Sequence, residues 1–277
     1  MELQKVCLQK IIEFSNVLKR THSDKLVSNY YNQYDVNASV LFDAYMDEKN
    51  LCFGIDDNGV YRLYFISADF HFLNSVVKFF PEKAVLEYIY KDGTVPLDFS
   101  TIANLKKIDS FKRYHTILKG DSFAQKLDKR FFKMYLPNCT EFASLLDMEQ
   151  LQRLLKKNFD RRVSHLPSDE DLKYLIANNS VIVCKQDGEI KTFWILKKEG
   201  KRIYSYEAYN SIQGIYMQSL WYKYFTEFKN ENFREVYAWV SDRNFFSLNL
   251  HYKFSFTFDG MNLMIFETKF NGGGTKV

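Results

Sequence analysis

The chain of 277 residues is long enough for two domains of ordinary size. Hydrophobic residues make up 46% and charged residues 26%, which is typical of a globular protein, and no apolar stretch reaches the roughly 18 residues of a membrane helix. The net charge of +4 is small and its lysines and arginines are scattered, so neither nucleic acid nor a membrane is expected as a partner.

The four cysteines, Cys7, Cys52, Cys139 and Cys184, lie far apart and form no CxxC pair. This spacing indicates neither a zinc site nor a disulfide scaffold. The first residues also lack a basic region followed by a long apolar core. We therefore expect reduced thiols, no bound metal and a cytoplasmic protein.

The first half predicts an α+β arrangement. Apolar residues at helical spacing predict a helix over residues 1–20. Asn58-Gly59 lies between two apolar runs, which is the strongest short-range signal for a β-hairpin. The elements predicted around and after this turn are strands Leu51–Ile55 and Val60–Ile66, a helix over Phe72–Phe80, a strand over Ala84–Tyr90 and a helix over Phe99–Leu118.

From about Cys139 the order of elements starts again. Two helices are predicted first, and Ser168 is well placed to cap the second of them. Turns at Asp187-Gly188 and Gly200 then join three runs into an antiparallel meander. The predicted elements are helices Leu145–Phe159 and Asp169–Ala177, strands Val181–Lys185, Lys191–Lys197 and Arg202–Tyr209, a helix to about Phe228, strand Val236–Val240, helix Phe245–Phe254 and strand Leu263–Thr268.

The two halves suggest an internal duplication. The Gly59 and Gly188 hairpins are each followed by an aromatic strand, and on that alignment the first copy lacks the third strand of the meander. A chance similarity of two α+β halves is the alternative. The expected domains are residues 1–138 and 139–270, with a disordered tail over 271–277.

One segment near the end carries a more specific pattern. A strand ends in Val240, and Asn244, Ser247 and Phe256 follow at fixed spacings. In this pattern, and in the order of its elements over about residues 140–270, the chain resembles the GNAT superfamily of acyl-CoA-dependent N-acyltransferases. The resemblance implies an α+β fold of two GNAT-like domains in tandem, each a mixed central sheet flanked by helices, with the first copy degenerate or accessory.

The same segment departs from the family at two positions. His251 stands where members often have a tyrosine that acts as general acid for the CoA thiolate, and Ser255 stands where they have glycine. A histidine can also protonate a thiolate, because its pKa lies near neutrality. The alternative for His251 is a polar residue on a helix face.

The segment YNSIQGIYMQSLW, which begins at Tyr209, lies where the family wraps the CoA pyrophosphate between a strand and a helix. Backbone N–H groups at a helix N-terminus bind phosphate, and small residues allow close approach. One glycine of the family pair is present, and the bulky Tyr216 has to point away. A plain strand-to-helix connection is the alternative. The resemblance assigns this role to Ser211, Gln213, Gly214, Ile215 and Tyr216.

The resemblance also implies roles on the third meander strand and at the last helix. Tyr206 and Ala208 would pair through their backbone with the pantetheine arm, in the manner of an added strand. Glu207 would be the base for the amine, or else a solvated charge on the sheet. Asn244 and Ser247 would contact CoA, although Asn244 is also a good N-cap residue.

The resulting expectation is an N-acyltransferase that moves an acetyl or related acyl group from acetyl-CoA, as co-substrate, to a primary amine of a small molecule or peptide. Two alternatives stay open at this point. One is an aminoacyl-tRNA-dependent transferase of tandem GNAT-like architecture, which tolerates an altered pyrophosphate loop. The other is a non-catalytic binding protein with the same fold, which the altered loop favours.

Overall fold

The computed structural model describes residues 2–23, 25–29, 40–94, 97–118, 139–212, 214–227 and 233–269. The expected tail over 271–277 lies outside these residues. The chain divides into two compact units. Unit 1 contains the described residues up to Ser110 and those from Met261 onward, and unit 2 spans Phe111–Gly260.

Among the described residues, no helix is long and apolar enough to cross a membrane.

Unit 1 is a mixed sheet whose strands run in the order β1-β3-β4-β5-β6-β13, with β2 paired to β5. A long helix and several short turns of helix accompany it. Its elements are β1 (Gln4–Cys7), α1 (Leu8–Thr21), β2 (Val27–Ser28), β3 (Leu41–Asp47), β4 (Asn50–Asp57), β5 (Val60–Ser67), the short α2 (Leu73–Val76) between 3-10 turns Phe70–Phe72 and Val77–Phe79, β6 (Val85–Lys91), a 3-10 turn Phe99–Thr101 and the final part of β13 (Thr257–Thr268).

Unit 2 is a second mixed sheet, with the strand order β8-β9-β10-β11-β12-β7. Helices cover both faces of this sheet. Its elements are the later part of β7 (Leu105–Ile117), β8 (Thr140–Phe142), a 3-10 turn Leu145–Asp147, α3 (Met148–Asn158), α4 (Asp169–Ala177), β9 (Val181–Gln186), β10 (Glu189–Glu199), β11 (Arg202–Asn210), α5 (Gly214–Glu227), β12 (Glu235–Ser241), α6 (Phe245–Lys253) and the first part of β13.

Both units share one succession of elements, which confirms the predicted α+β class. Each has an antiparallel three-strand meander whose last strand pairs in parallel with a later strand: β5 with β6, and β11 with β12. The expectation that the first copy lacks a meander strand is wrong, because β3 supplies it. The Gly59 hairpin therefore corresponds to the turn at Gly200 and not to the turn at Gly188.

Two strands pass from one unit to the other, so the units differ from the division expected at residue 138. Phe111–Ile117 of β7 pair with β12 in unit 2. Met261–Glu267 of β13 pair with β6 in unit 1. The boundaries of the units follow from backbone pairing between strands that are distant in sequence. No local feature of the composition predicts such pairing.

The helix predicted over Phe99–Leu118 is wrong, since most of this segment is β7. Ile102, Leu105 and Ile108 are three residues apart, which imitates one face of a helix. Further along, Tyr114 and Thr116 are buried two residues apart, as in a strand. Tertiary pairing with β12 outweighs the weak local preference.

The core of unit 2 is built from the alternation of β10. Trp194 faces α5, where its ring stacks on Trp221 with centroids 5.0 Å apart. Phe193 and Ile195 face the opposite side and pack with residues of α3 and α4. Because successive side chains of a strand point to opposite faces, one strand anchors both helical layers. The meander thus lies between α3 and α4 on one face and α5 on the other.

A disulfide joins Cys139 to Cys184, with Cα atoms 4.9 Å apart. The expectation of reduced thiols is wrong for these two residues, while Cys7 and Cys52 are free cysteines. The register explains the pairing, because the N–H of Lys185 donates to the carbonyl of Cys139 and so places the two chains side by side. Spacing in the sequence carries no sign of this contact, which depends on strand pairing across 45 positions.

We expect reduction of this disulfide to lower the free energy of unfolding of unit 2 by about 2–4 kcal/mol, because it closes a long loop in the unfolded chain. Urea unfolding followed by tryptophan fluorescence, with and without dithiothreitol, measures the difference. The Cys7→Ala variant is the control and should show the same response to reductant. Equal midpoints in both conditions would contradict the expectation.

Candidate functional site

The parallel pair β11–β12 separates partway along its length. The paired residues run from Arg202 with Glu235 to Ser205 with Ala238. Beyond that point β11 continues along β10 to Asn210. The result is a cleft between two parallel strands, of the kind in which an extended ligand can pair with a strand edge.

A bulge lies where the cleft begins. Glu207 pairs with Ile195 and Ser205 pairs with Leu196, which leaves Tyr206 as the extra residue on β11. A bulge bends its strand and changes the direction of nearby side chains. Here it coincides with the point at which β11 loses β12 as a neighbour, so the two features open the cleft together.

The corresponding cleft in unit 1 is filled by the chain itself. β5 and β6 are paired only from Arg62 to Leu63 on β5. Further along the same edge, Ser67 and Ile66 pair with the short strand β2. The side chain of Asn29 completes this edge, since it donates to the carbonyl of Leu63 at 2.9 Å and accepts from the N–H of Phe65 at 2.6 Å.

No described strand of unit 2 takes the place that β2 takes in unit 1. Within the described residues, β11 pairs with β10 along its length and with β12 over its first part. The edge of β11 in unit 2 is therefore the candidate binding edge. The pairing of β2 with β5 in unit 1 is an example, within the same chain, of an extended segment added to such an edge.

Glu207 lies at the cleft and is partly buried. Burial raises its pKa to about 7, while a hydrogen bond from Ser164 and the nearby charges of Lys197 and His165 act in the opposite direction. A carboxyl group with a pKa near neutrality can accept a proton at physiological pH. Such a perturbed acid in a cleft is a candidate functional residue.

The bulge settles the direction of Glu207. Ser205 accepts a hydrogen bond from the indole of Trp194 at 2.8 Å, on the side of α5. Tyr206 packs with the cluster under α3 and α4, and Glu207 binds Ser164 in the loop between those helices. In a regular strand the side chains of Tyr206 and Glu207 would point to opposite faces of the sheet. Because Tyr206 is the extra residue of the bulge, both side chains point to the α3–α4 face.

The loop between α3 and α4 supplies the partners of Glu207. The N–H of Ser164 donates to the carbonyl of Asp160 at 2.9 Å, which fixes the turn. On β10, the ammonium of Lys197 lies 3.6 Å from the centre of the Tyr206 ring. The sequence does not single out Ser164, His165 or Lys197. No motif marks them, since they meet Glu207 only through the packing of the loop on the sheet.

The predicted phosphate-binding turn lies at the start of α5. The helix begins at Gly214, and its first N–H groups have no partner within the helix, as at any helix N-terminus. Ser211 turns back on the sheet, because both its N–H and its hydroxyl donate to the carbonyl of Lys191, at 3.0 and 2.7 Å. Gln213 lies outside the described residues, and the side chain of Ile215 is not described.

Tyr216 is directed to the sheet. Its hydroxyl accepts a hydrogen bond from the side-chain amide of Gln186 on β9 at 2.9 Å, and its ring packs against the core under α5. The Tyr216 side chain is therefore held by β9 and by the core under α5. Ala208, the neighbour of Glu207 on β11, is exposed.

Asn244 caps α6. Its side-chain oxygen accepts from the N–H of Ser247 at 3.0 Å. This is the ordinary role of asparagine at a helix N-terminus. Capping is the local role that the sequence offered for Asn244 beside contact with CoA.

His251 lies in the core beside Trp221. Its Nδ1 is 2.7 Å from the carbonyl of Ser247, so Nδ1 carries the proton. Nε2 is buried and has no hydrogen-bond partner among the described residues. Burial lowers the pKa of His251 to about 4. A neutral imidazole held in this way has no acidic proton to give a thiolate at neutral pH.

Ser255, which stands where members of the resembled family have glycine, follows the C-terminus of α6. Ser255 has φ of 60°, in the left-handed region that favours glycine. The N–H of Phe256 donates to the carbonyl of His251, and the N–H of Ser255 donates to that of Tyr252. These two bonds form a Schellman motif, whose apolar contact is the packing of Phe256 on the His251 ring at 4.9 Å.

A polar cluster lies on the face of the unit 2 sheet, outside the cleft. One potential ligand atom from each of His115, Glu235 and Asp259 lies within 4.8 Å of the others. Their carboxylates are already paired, Glu235 with Arg202 at 2.9 Å and Asp259 with Arg113 at 2.5 Å. The two arginines supply the positive charge that a metal ion would otherwise supply.

No protein-family model matches the chain, and no curated protein matches it in sequence. Several solved structures match it in fold. An acetyltransferase of the GNAT family from Colwellia psychrerythraea has a TM-score of 0.51 at 10% identity, over 97% of this chain and 100% of that one. A tandem GNAT protein from the clavulanic acid biosynthesis pathway has a TM-score of 0.52 at 8% identity, over 99% of this chain and 100% of that one.

A GCN5-related N-acetyltransferase from Sphaerobacter thermophilus is also similar, with a TM-score of 0.53 at 12% identity, over 79% of this chain and 76% of that one. Identities this low show the fold alone. The predicted GNAT fold in a two-domain arrangement is thereby confirmed. Substrate and activity do not follow from fold similarity.

We expect Ser255→Gly to raise the free energy of unfolding by about 0.5–1 kcal/mol, because glycine adopts a positive φ without the steric cost that serine has. Urea unfolding measures the change. Lys253→Gly, two positions earlier inside α6, is the matched control and should lower stability by about 1 kcal/mol. A loss of stability in Ser255→Gly would contradict the assignment.

We expect Glu207→Gln to stabilise the protein in a pH-dependent way. Burial raises the pKa of Glu207 from 4.5 to about 7, so the folded state binds the proton more tightly than the unfolded state. This stabilising contribution is complete below about pH 4.5 and is lost as the pH rises through about 7. Glutamine cannot ionise, so the variant should match the wild type near pH 4.5 and exceed it by roughly 2–3 kcal/mol near pH 8.

Urea unfolding at the two pH values tests this expectation. Glu170→Gln, at an exposed position on α4, is the control and should show no such divergence. A stability difference that does not change with pH would mean that Glu207 has the same pKa in the folded and unfolded states.

Proposed function

We propose that this chain, whose two units have the GNAT fold, is an N-acyltransferase whose acyl-CoA site lies in unit 2. It transfers an acetyl or related acyl group from CoA to a primary amine of a small molecule or peptide. The observation that carries the proposal is the cleft between β11 and β12, with the bulge at Tyr206 and the protonatable Glu207 at its start.

The fit of an acyl-CoA rests on two features of the chain. The edge of β11 from Tyr206 to Ala208 binds the pantetheine amides, as the edge of β5 binds β2 in unit 1. The N-terminus of α5 at Gly214 and Ile215 binds the pyrophosphate through backbone N–H groups. The side chain of Tyr216 does not take part in binding the pyrophosphate, because Gln186 holds it on β9.

Glu207 serves as the general base. Its raised pKa, about 7, lets it accept a proton from an ammonium group and return it to solvent near neutral pH. Ser164 orients the carboxylate by donating a hydrogen bond to it. A backbone N–H at the bulge polarises the thioester carbonyl, as a preorganised donor does in other acyl transfers.

His251 takes no part in this scheme, because it is neutral and buried. The thiolate that leaves is protonated by the second proton of the attacking nitrogen. Asn244 and Ser247 shape the start of α6 through their cap hydrogen bond.

Only one of the two units is proposed to bind acyl-CoA, since β2 and Asn29 occupy the equivalent edge in unit 1. Unit 1 thus has an accessory role. A cytoplasmic location stays part of the proposal, although the Cys139–Cys184 disulfide favours an oxidising environment.

Calorimetric titration with acetyl-CoA tests the proposal. We expect micromolar binding with one site per chain, and we expect Gly214→Trp to abolish it by blocking the N-terminus of α5. Lys223→Trp, near the other end of the same helix, is the control and should bind as the wild type does. A screen of primary amines for thiol release then identifies the acceptor, and Glu207→Gln should slow turnover by about a hundredfold or more.

No heat and no thermal shift at millimolar acetyl-CoA would overturn the proposal. Two sites per chain would overturn the assignment of a single site to unit 2. Binding without turnover on any amine would favour the non-catalytic alternative.

A further inference from the structure

Lys197 brings a primary amine of the chain itself to the cleft of unit 2. Its ammonium lies 3.6 Å from the centre of the Tyr206 ring, and Tyr206 is the bulged residue at which β11 leaves β12. A cation over an aromatic face at this distance is held by the ring quadrupole. The amine is thus fixed at the place where the proposed acyl donor presents its thioester.

The same amine is within electrostatic reach of the candidate base. The charge of Lys197 favours the ionised form of Glu207, which follows Tyr206 in the chain. The side chain of Lys197 is partly exposed, so it is accessible. The amine of Lys197 on β10, the carboxylate of Glu207 on β11 and the edge of β11 are therefore held near one another by two paired strands.

Lys198 offers a contrast on the next position of β10. It is exposed, and its ammonium lies 5.6 Å from the ring of Phe233, which packs against the cluster on the α5 side of the sheet. Alternation along the strand sends the two neighbouring lysines to opposite faces. Only Lys197 shares a face with Glu207.

We propose that Lys197 is a self-acylation site, modified at Nζ by the acyl thioester bound in its own cleft. This inference rests on the proposed function. Glu207 takes one proton from the Lys197 ammonium, and the lone pair of Nζ attacks the thioester carbonyl carbon. The C–N bond forms and the C–S bond breaks. The remaining excess proton on nitrogen passes to the thiolate, which leaves as the free thiol, and Glu207 returns its proton to solvent.

The modification has a consequence for the cleft. Acylation removes the positive charge of Lys197 and with it the cation that covers the Tyr206 ring. The aromatic face then becomes available to the amine of an external acceptor. Self-acylation would thereby change the affinity of the site for cationic acceptors.

Incubation of the purified full chain with acetyl-CoA, followed by peptide mass spectrometry, tests this proposal. A parallel incubation uses S-acetyl-N-acetylcysteamine, an acetyl thioester without the pyrophosphate. We expect acetylation of Lys197 at least about tenfold faster than of Lys198, because a positioned nucleophile gains from proximity. In Glu207→Gln the rate at Lys197 should fall by about a hundredfold, with no change at Lys198.

Three other outcomes would contradict the assignment of Lys197, this inference as a whole, or the proposed function as well. Equal or faster acetylation of Lys198 would show chemical modification of exposed lysines and would overturn the assignment. Calorimetric binding of acetyl-CoA with Lys197 unmodified by both thioesters would overturn this inference alone. Absence of binding, together with no modification by either thioester, would overturn both this inference and the proposed function.

Discussion

Backbone hydrogen bonding at two diverging pairs of parallel strands governs how this molecule is organised. A strand that loses its neighbour still carries N–H and C=O groups that need partners. In unit 1 that need is met within the chain, by β2 and the side chain of Asn29 on the edge of β5. In unit 2 no described strand fills the equivalent edge of β11. The two units thus differ in how this requirement is met within the described residues, and our proposal of a single site in unit 2 rests on that difference.

The bulge on β11 links that edge to the chemistry. It turns Glu207 toward the loop between α3 and α4, where the surrounding protein displaces water from the carboxylate. Loss of solvation disfavours the charged form, and Lys197, Ser164 and His165 only partly compensate. The resulting acid titrates near neutrality. A regular strand would have placed Glu207 opposite Tyr206 and away from these partners.

The C-terminal motif illustrates how sequence signals for function also serve local structure. Asn244 caps α6, and Ser255 takes the left-handed conformation at its end. His251 packs against Phe256 in the same motif, as the apolar contact of a helix terminus. The spacing that pointed to a family therefore reflects the geometry of one short helix, while the residues that surround the cleft lie on β10, β11 and the α3–α4 loop.

The sequence by itself determined most elements of unit 2 from α3 to α6, because capping by Ser168, glycine turns and periodicity are local signals. It also placed Glu207 on the third meander strand. It failed for β7, where apolar residues three apart imitated a helix, and for Cys139 and Cys184, which meet only through strand pairing.

Tertiary structure alone decided the exchange of strands between units, the bulge at Tyr206, the partners of Glu207 and the burial of His251. These features depend on contacts between residues distant in sequence, which no local pattern encodes.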